Sequence, residues 1–309
     1  MRRRHRPGAD AEPHAPGEGR RHPLPRHPLR GTAVSTSTTD REIHRTRAGI
    51  DIDASADTVY RALTDVADWP LLYPWIAHTE VLSQVGQDDE VKFWAVRPGP
   101  EGGLRIWTSR RTLDPVALRM DFAQQGSVGP IKELGGTWDF LPRPDGGCRV
   151  VSGHWFTTDA DPAETAGELD RHGGLQMRTL KSKTERPGSL TSDVIRVEDS
   201  AVLPGSVASV HARLLDALPW RDSDESAWFG TQNDVPTVQI EHGGHTLVQK
   251  PLTPPGTAEL YRRRWRLVEA PGGVLVTADV LAVASIGRDR VLELATTDVR
   301  AALALAGQR

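Results

Sequence analysis

An indole, a hydroxyl and a guanidinium alternate along one short segment of this chain. Trp107, Ser109 and Arg111 are each separated by one residue. Alternate residues of a β-strand point to the same side of a sheet, so a strand here would project the three side chains together. Apolar walls with a few convergent polar groups are typical of a small-molecule cavity. The segment therefore predicts a cavity on the face that carries Arg111.

The permanent positive charge of Arg111 restricts its chemistry. A guanidinium stays protonated and cannot act as a base, but it can stabilise negative charge that develops on an enolate or alkoxide oxygen. An unpaired buried guanidinium is costly. An inward Arg111 therefore indicates either a bound ligand or an internal carboxylate, such as Glu133 or Asp139. In the other alternative the strand faces the opposite way and Arg110 points inward.

A few other residues could take part in chemistry. The aromatic and proline-rich segment 69–75 either forms a hydrophobic lip over a cavity mouth or packs as ordinary core. His154 and His172 could each move a proton near neutral pH, although single histidines are more often structural. His242 and His245 resemble a metal pair, but no third ligand follows at a suitable spacing, which favours a loop.

Composition and motifs exclude several classes of protein. No phosphate-binding loop, dinucleotide fingerprint, zinc cluster or nucleophile elbow is present, so we expect no cofactor and no metal. The net charge of −3 argues against general nucleic-acid binding. There is no run of 18 apolar residues for a membrane span. The single cysteine, Cys148, fits a reducing compartment, so we expect a cytoplasmic protein.

The first 42 residues differ in composition from the rest of the chain. They are rich in Arg, Pro and His and show no apolar periodicity, so residues 1–42 are predicted to be a disordered tail. The segment lacks the apolar stretch of a secretory signal. In the alternative that we prefer, the start is mis-assigned and Val34 is the true initiator.

The remaining 267 positions suggest two α+β domains. Alternation predicts a strand over 47–54, and Ser55 is a candidate N-cap for the helix that follows. A helix over 160–184 closes the unit. Between the two helices, strand patterns separated by turn residues cover 79–84, 90–97, 103–113, 118–125, 135–143 and 148–158. This order predicts a curved antiparallel sheet wrapped around a long C-terminal helix.

The pattern recurs in a shorter form. Trp138-Asp139-Phe140 corresponds to Trp265-Arg266-Leu267 at an offset of 127 residues, whereas the opening strand and helix recur near 150. The second copy is therefore predicted to lack material where the first carries its middle strands, with no counterpart of Trp107, Ser109 and Arg111, and to be non-catalytic. The predicted boundaries are 43–185 for the catalytic domain, 186–190 for a linker and 191–309 for the shortened repeat.

Three motifs in order give this chain a resemblance to the aromatase/cyclases of bacterial type II polyketide synthases, in their didomain branch. The motifs are Trp69-Pro70 with Tyr73-Pro74, Trp107 to Pro115, and Gly135-Gly136-Thr137-Trp138. The resemblance implies two tandem helix-grip folds, similar to START and Bet v 1 proteins, with a pocket between sheet and C-terminal helix. It also implies regiospecific aldol closure and dehydration of a poly-β-ketone, aromatising its first ring.

The resemblance further implies roles for individual residues. Arg111 matches the essential pocket arginine and Ser109 its nearby hydroxyl, and Tyr73 is expected to line the entrance. Ile76 stands where some relatives have a pocket tyrosine, and His172 replaces a common asparagine. The candidate for proton transfer is His172 or a bound water. The expected pocket walls are Trp69, Tyr73, Ile76, Trp107 and Trp138.

The implied partners are an acyl carrier protein that carries the polyketide, other type II synthase subunits and a ketoreductase that has already acted on the chain. No nucleic-acid or membrane partner is expected. The alternative is a non-enzymatic helix-grip carrier, or a chaperone-like module, that binds an apolar polyketide or lipid. A carrier has no need of Ser109 and Arg111 on one apolar face, which favours the enzyme.

Overall fold

The computed structural model describes residues 42–97, 103–186, 191–218, 227–232 and 234–307. The predicted tail up to residue 41, the alternative start at Val34 and linker residues 187–190 lie outside the described residues. Residues from 42 onwards belong to one compact unit. No helix among the described residues is both long enough and apolar enough to span a membrane.

The first copy is a seven-stranded antiparallel sheet with the order β1-β7-β6-β5-β4-β3-β2. Its long helix α3 packs against β1, β7 and the short helix α1. We call the face of the sheet toward α1 and α3 the inner face. The elements are β1 His44–Ile52, α1 Ala56–Thr64, α2 Trp69–Leu72, β2 Ile76–Val85, β3 Asp88–Val96, β4 Leu104–Asp114, β5 Arg119–Gln125, β6 Ile131–Pro142, β7 Cys148–Thr158 and α3 Pro162–Glu185.

Among the described residues, the second copy repeats this arrangement with six strands in the order β8-β13-β12-β11-β10-β9. Helix α5 packs against β13, β8 and α4. The predicted pair of helix-grip folds, with the second one shortened, is confirmed. The elements are β8 Val194–Leu203, α4 Val207–Ala217, β9 Ala227–Gln232, β10 Val235–His242, β11 Thr246–Pro251, β12 Leu260–Ala270, β13 Gly273–Val283 and α5 Arg288–Gly307.

Local chemistry explains where the first helices begin. The Ser55 hydroxyl accepts a hydrogen bond from the Thr58 backbone N–H at 3.2 Å, as predicted for the N-cap of α1. Helix α3 begins in the same way, with the Asp161 carboxylate accepting from two backbone N–H groups and Pro162 in the first turn. Both helices then present an apolar stripe to the sheet.

Strand pairing within each copy shows which positions of the two copies are equivalent. Trp138 on β6 lies opposite Met120 on β5, and Trp265 on β12 lies opposite Leu247 on β11. The predicted correspondence of the two tryptophans therefore holds in space, since each is buried on the strand next to the last strand of its copy.

The same pairing corrects the prediction that the second copy has no counterpart of the Trp107–Arg111 segment. Counting outward through β11 to β10, Gln239 occupies the position of Arg111, and Thr237 that of Ser109. Among the described residues, the first-copy elements without a counterpart are edge strand β2 and helix α2, and not the middle strands. The second copy therefore has a residue at the position of Arg111, but that residue is an amide and not a cation.

The two copies contact each other through their outer faces. Trp94 and Ala77 of the first copy share an apolar cluster with Val238, Ile240 and Val248 of the second. The buried Lys250 ammonium on β11 also joins the two copies, since it donates hydrogen bonds to the Pro74 and Ile76 carbonyl oxygens of the first copy at 2.6 and 2.7 Å.

Candidate active site

Strand β4 presents its polar side chains as the alternation predicts. Ser109 and Arg111 are only 6% and 4% exposed, whereas Arg110 and Thr112 on the other face are exposed. The alternative in which Arg110 points inward is therefore wrong. Trp107 lies on the same inner face and is half-buried.

Arg111 has an internal carboxylate partner, and it is neither of the two considered from the sequence. Asp89, directly opposite on β3, accepts from the guanidinium Nε at 2.8 Å and from Nη2 at 2.5 Å. Nη2 also donates to the Thr64 carbonyl at the last residue of α1, at 3.2 Å. Asp139 instead pairs with Arg119.

The remaining nitrogen of Arg111 is the one that can serve a substrate. Among the described residues, the contact of Nη1 is the Met120 sulfur at 3.9 Å. Sulfur is a weak acceptor, so Nη1 keeps most of its capacity to donate to an oxygen. The bidentate pair with Asp89 holds the guanidinium plane in one orientation while leaving this edge open.

A continuous chain of aromatic rings connects the predicted pocket residues. Trp107 stacks on Phe93 with ring centroids 5.0 Å apart, and Phe93 contacts Trp69 at 4.8 Å. Trp69 meets Tyr73 edge-on at 5.2 Å, and Tyr73 contacts Trp75 at 5.1 Å. Phe93 was missed from the sequence, although its alternation with buried neighbours along β3 signals an inward residue.

Three of the predicted pocket residues lie deeper than expected. Tyr73 is 0% exposed, so the prediction that it lines an entrance is wrong. Burial raises the pKa of the Tyr73 phenol, and its hydroxyl has no hydrogen-bond partner among the described residues. Ile76 is 1% and Trp138 is 4% exposed, and both belong to the same core cluster as Trp69 and Tyr73. The structure thus brings the aromatic set together in one core.

One cross-strand row of inner-face residues connects Arg111 with a histidine. In register across β4, β5, β6 and β7 lie Arg111, Phe122, Gly136 and His154. A Cβ atom on Gly136 would lie 3.0 Å from the Phe122 ring, so the glycine lets that ring lean across β6. The Phe122 ring then meets the His154 ring edge-on at 5.8 Å. Phe122 forms an apolar floor between a cation and an imidazole.

The two candidate histidines lie in different environments. His172 on α3 is exposed, and its Nδ1 is 2.9 Å from the Glu168 carbonyl oxygen of the preceding turn. The next residue, Gly173, is the one that faces the sheet, since a Cβ there would lie 3.6 Å from His154 Cε1. The structure therefore does not bring His172 to Arg111, whereas His154 lies in the Arg111 row.

The electrostatics of His154 favour a neutral imidazole. Burial lowers its pKa, and the negative charge of Asp170 on α3 opposes this shift in part. Two hydroxyls near it on the inner face, Ser152 Oγ and Thr46 Oγ1, are buried and have no hydrogen-bond partner among the described residues. The His154 end of the row is therefore polar but carries no fixed charge of its own.

A groove of about 620 Å³ lies on the outer side of the same strands. The exposed Arg110 and Thr112 contribute to it, together with the half-buried Glu90 and Trp155. Residues of the inner-face row also line it, namely Asp89, Arg111, Phe122 and Gly136. The Trp155 ring lies across Gly135, where a Cβ would approach its Cε2 to 2.6 Å. The Gly135-Gly136 pair thus accommodates one ring on each face of the sheet.

The described residues contain no cluster of three His, Cys, Asp or Glu side chains that could hold a metal ion. His242 and His245 flank the tight turn between β10 and β11, with ring centroids 6.2 Å apart.

Fold and site together define a tandem helix-grip protein with a cation, an imidazole and aromatic walls on the inner face of its first copy. The model of the family "Polyketide cyclase / dehydrase and lipid transport" matches residues 52–163. A putative polyketide cyclase of Streptomyces halstedii is 32% identical over 98 residues, which cover 31% of this chain and 87% of that protein. The chain belongs to this polyketide cyclase/dehydratase family, and it is an enzyme.

Longer similarities cover both copies. The granaticin polyketide synthase bifunctional cyclase/dehydratase of Streptomyces violaceoruber is 25% identical over 272 residues, which cover 80% of this chain and 83% of that protein. The crystal structure of the di-domain ARO/CYC BexL, from the BE-7585A biosynthetic pathway, matches with a TM-score of 0.71 at 23% identity. That match covers 85% of this chain and 97% of BexL, and it supports the two-copy fold.

Proposed function

We propose that this protein closes and dehydrates the first ring of a poly-β-ketone that is carried by an acyl carrier protein and already ketoreduced. The observation that carries the proposal is the inner-face row in which Arg111 and His154 flank an apolar floor. The two residues are three strands apart, which corresponds to roughly 14 Å between their backbones. Their side chains can therefore approach a single six-membered ring from opposite sides.

The first step is a proton transfer. The neutral His154 imidazole takes a proton from a methylene group between two carbonyls, and an enolate forms. The enolate carbon then attacks a carbonyl carbon farther along the same chain, and the new carbon–carbon bond leaves an alkoxide on that carbonyl's oxygen. Arg111 Nη1 and the Ser109 hydroxyl donate hydrogen bonds to this oxygen as its charge develops.

Dehydration completes the ring. The protonated His154 returns its proton to the alkoxide, which gives the tertiary alcohol. Loss of a further proton from the adjacent carbon and of the hydroxyl from the ring releases one water molecule and forms the carbon–carbon double bond. The positive charge of Arg111 and the negative charge of Asp89 cancel, so the pair fixes the direction in which Arg111 Nη1 donates without adding a net charge to the site.

The aromatic walls select which ring forms. A flexible poly-β-ketone has many possible aldol closures, and holding one folded conformer converts that mixture into one reaction. We assign direct contact with the substrate to Trp107 and Trp69. Tyr73, Ile76 and Trp138 complete the wall from the packed core behind them.

Reconstitution with a minimal synthase and ketoreductase tests the proposal. The wild-type protein is expected to shift shunt products toward a single aromatic product. His154→Phe should abolish that shift, because it removes the base and keeps a buried ring. The matched control His172→Phe alters an exposed histidine and should leave the product ratio unchanged. A wild-type protein that binds the polyketide without changing the products would instead support the carrier.

A further inference from the structure

The second copy contains a buried amide that has no partner. Gln239 on β10 is 0% exposed, and neither its Oε1 nor its Nε2 makes a hydrogen bond with any described residue. Buried polar groups in proteins are almost always hydrogen-bonded, and an exception calls for an explanation such as a bound water, an ion or another ligand. An amide can accept and donate at once, so Gln239 is equipped for a ligand with both kinds of group.

Strand register places Gln239 where the first copy has its functional arginine. Gln239 lies opposite Gln249 on β11, as Arg111 lies opposite Phe122 on β5. On the other side, Trp228 on β9 takes the position that Asp89 has on β3. The second copy thus keeps the site position but replaces the cation and its carboxylate with an amide and an indole.

Gln239 lies on the inner face of the second sheet, under α5. Moving along this face from Gln249, the next side chain on β11 is Leu247, which pairs with Trp265 on β12. The Trp265 indole donates to the Ala302 carbonyl of α5 at 3.2 Å. Leu247 and Trp265 therefore form an apolar part of the surroundings between sheet and helix.

The charged groups beside Gln239 neutralise each other. Gln249 is 1% exposed, and its Oε1 accepts from Arg263 Nη1 at 3.4 Å, while its Nε2 has no partner among the described residues. Asp298 of α5 pairs with Arg263 at 2.8 Å and accepts from the Tyr261 hydroxyl at 2.7 Å. The site therefore favours a neutral ligand.

We propose that the second copy has its own binding site at Gln239 and Gln249, for a neutral planar ring compound that carries adjacent hydroxyl and carbonyl oxygens. The hydroxyl donates to Gln239 Oε1, and the carbonyl accepts from the amide nitrogens. Trp228 provides a flat apolar surface for the ring. Gln239 stands at the position of Arg111, and the nearby Arg263 guanidinium already donates to Gln249 and Asp298. We therefore assign binding to this site and not stabilisation of an oxyanion. The inference does not depend on the chemistry assigned to the first copy.

Calorimetric titration of the full chain at pH 7 with quinizarin, a planar dihydroxyanthraquinone that is neutral at this pH, tests this inference. We expect Gln239→Leu to weaken one binding event by about tenfold or more, as the loss of two neutral hydrogen bonds implies. Gln249→Met should weaken the same event to a smaller extent. The matched control Gln125→Leu changes an exposed glutamine of β5 and should bind as the wild type does.

Thermal unfolding checks that the variants are folded. Gln239→Leu removes an unpaired buried amide, so its Tm without quinizarin should be no lower than that of the wild type. Arg111→Met should keep the Gln239 binding event even where product formation is lost, which separates this inference from the proposed function. Wild-type affinity and stoichiometry in both Gln239→Leu and Gln249→Met would overturn the inference, and so would an equal loss in Gln125→Leu.

Discussion

The burial of the Arg111–Asp89 ion pair predicts how much stability the protein loses when the pair is broken. Their side chains are 3% and 5% exposed, and Asp89 accepts two of the hydrogen bonds that the guanidinium donates. Asp89→Asn removes the negative charge. The buried Arg111 guanidinium then keeps the Thr64 carbonyl and the Met120 sulfur as partners, and neither carries a charge. Breaking a buried pair in this way costs about 3–5 kcal/mol, which corresponds to a Tm lower by roughly 10 °C.

A double-mutant cycle in urea unfolding separates the pair from simple loss of packing. Arg111→Met alone leaves a buried carboxylate, whereas the double variant Asp89→Asn/Arg111→Met leaves no buried charge. We therefore expect the double variant to recover most of the stability that Asp89→Asn loses.

The neighbouring pair on the outer face provides the control. Glu90 and Arg110 are 3.4 Å apart, with side chains 27% and 75% exposed. Glu90→Gln should cost less than about 1 kcal/mol. If Asp89→Asn costs no more than Glu90→Gln, or if the double variant is the sum of its singles, the account of Arg111 as a charge fixed by Asp89 is refuted.

Three further predictions concern packing and protonation. Gly136→Ala should cost about 1–3 kcal/mol because its Cβ would press on the Phe122 ring and the Gly153 carbonyl, and urea unfolding should show a smaller loss for Gly153→Ala, whose Cβ has room. Burial lowers the pKa of Lys250 from 10.5 to about 7. Between these two pH values the unfolded chain binds one proton more than the folded chain, so the free energy of unfolding should rise with pH. Lys250→Met should remove that rise, and an unchanged pH slope in this variant would contradict the lowered pKa. Because burial lowers the pKa of His154, ring closure should persist below the usual histidine range and fall at more acidic pH, and a product assay with no acidic limb would exclude His154 as the base.

Alternation along the chain predicted much of the first copy. The face of Ser109 and Arg111 follows from the two-residue period of a strand, and Ser55 could be recognised as a cap from the apolar spacing after it. The partner of Arg111 could not be predicted in this way. Asp89 lies 22 positions earlier, and its place opposite Arg111 is set by the register of β3 on β4.

The second copy shows where pattern comparison stops. Thr237 and Gln239 share the register of Ser109 and Arg111, but glutamine does not resemble arginine, and the spacing between matching elements varies along the chain. The equivalence of Gln239 and Arg111 becomes visible when the paired residues are followed from Trp265 across β11 to β10. The inward direction of His154 follows from its place on β7 opposite Gly136, whereas the outward direction of His172 depends on which face of α3 meets the sheet.

The central claim is that ring closure occurs on the inner face at Arg111. The most direct test is the ratio of aromatic to shunt products in reconstitution with Asp89→Asn/Arg111→Met, the variant expected to retain its fold, against Arg110→Met, which alters the exposed neighbour on the other face. The account predicts shunt products for the double variant and a wild-type ratio for Arg110→Met. A folded double variant that still gives the wild-type ratio would contradict it.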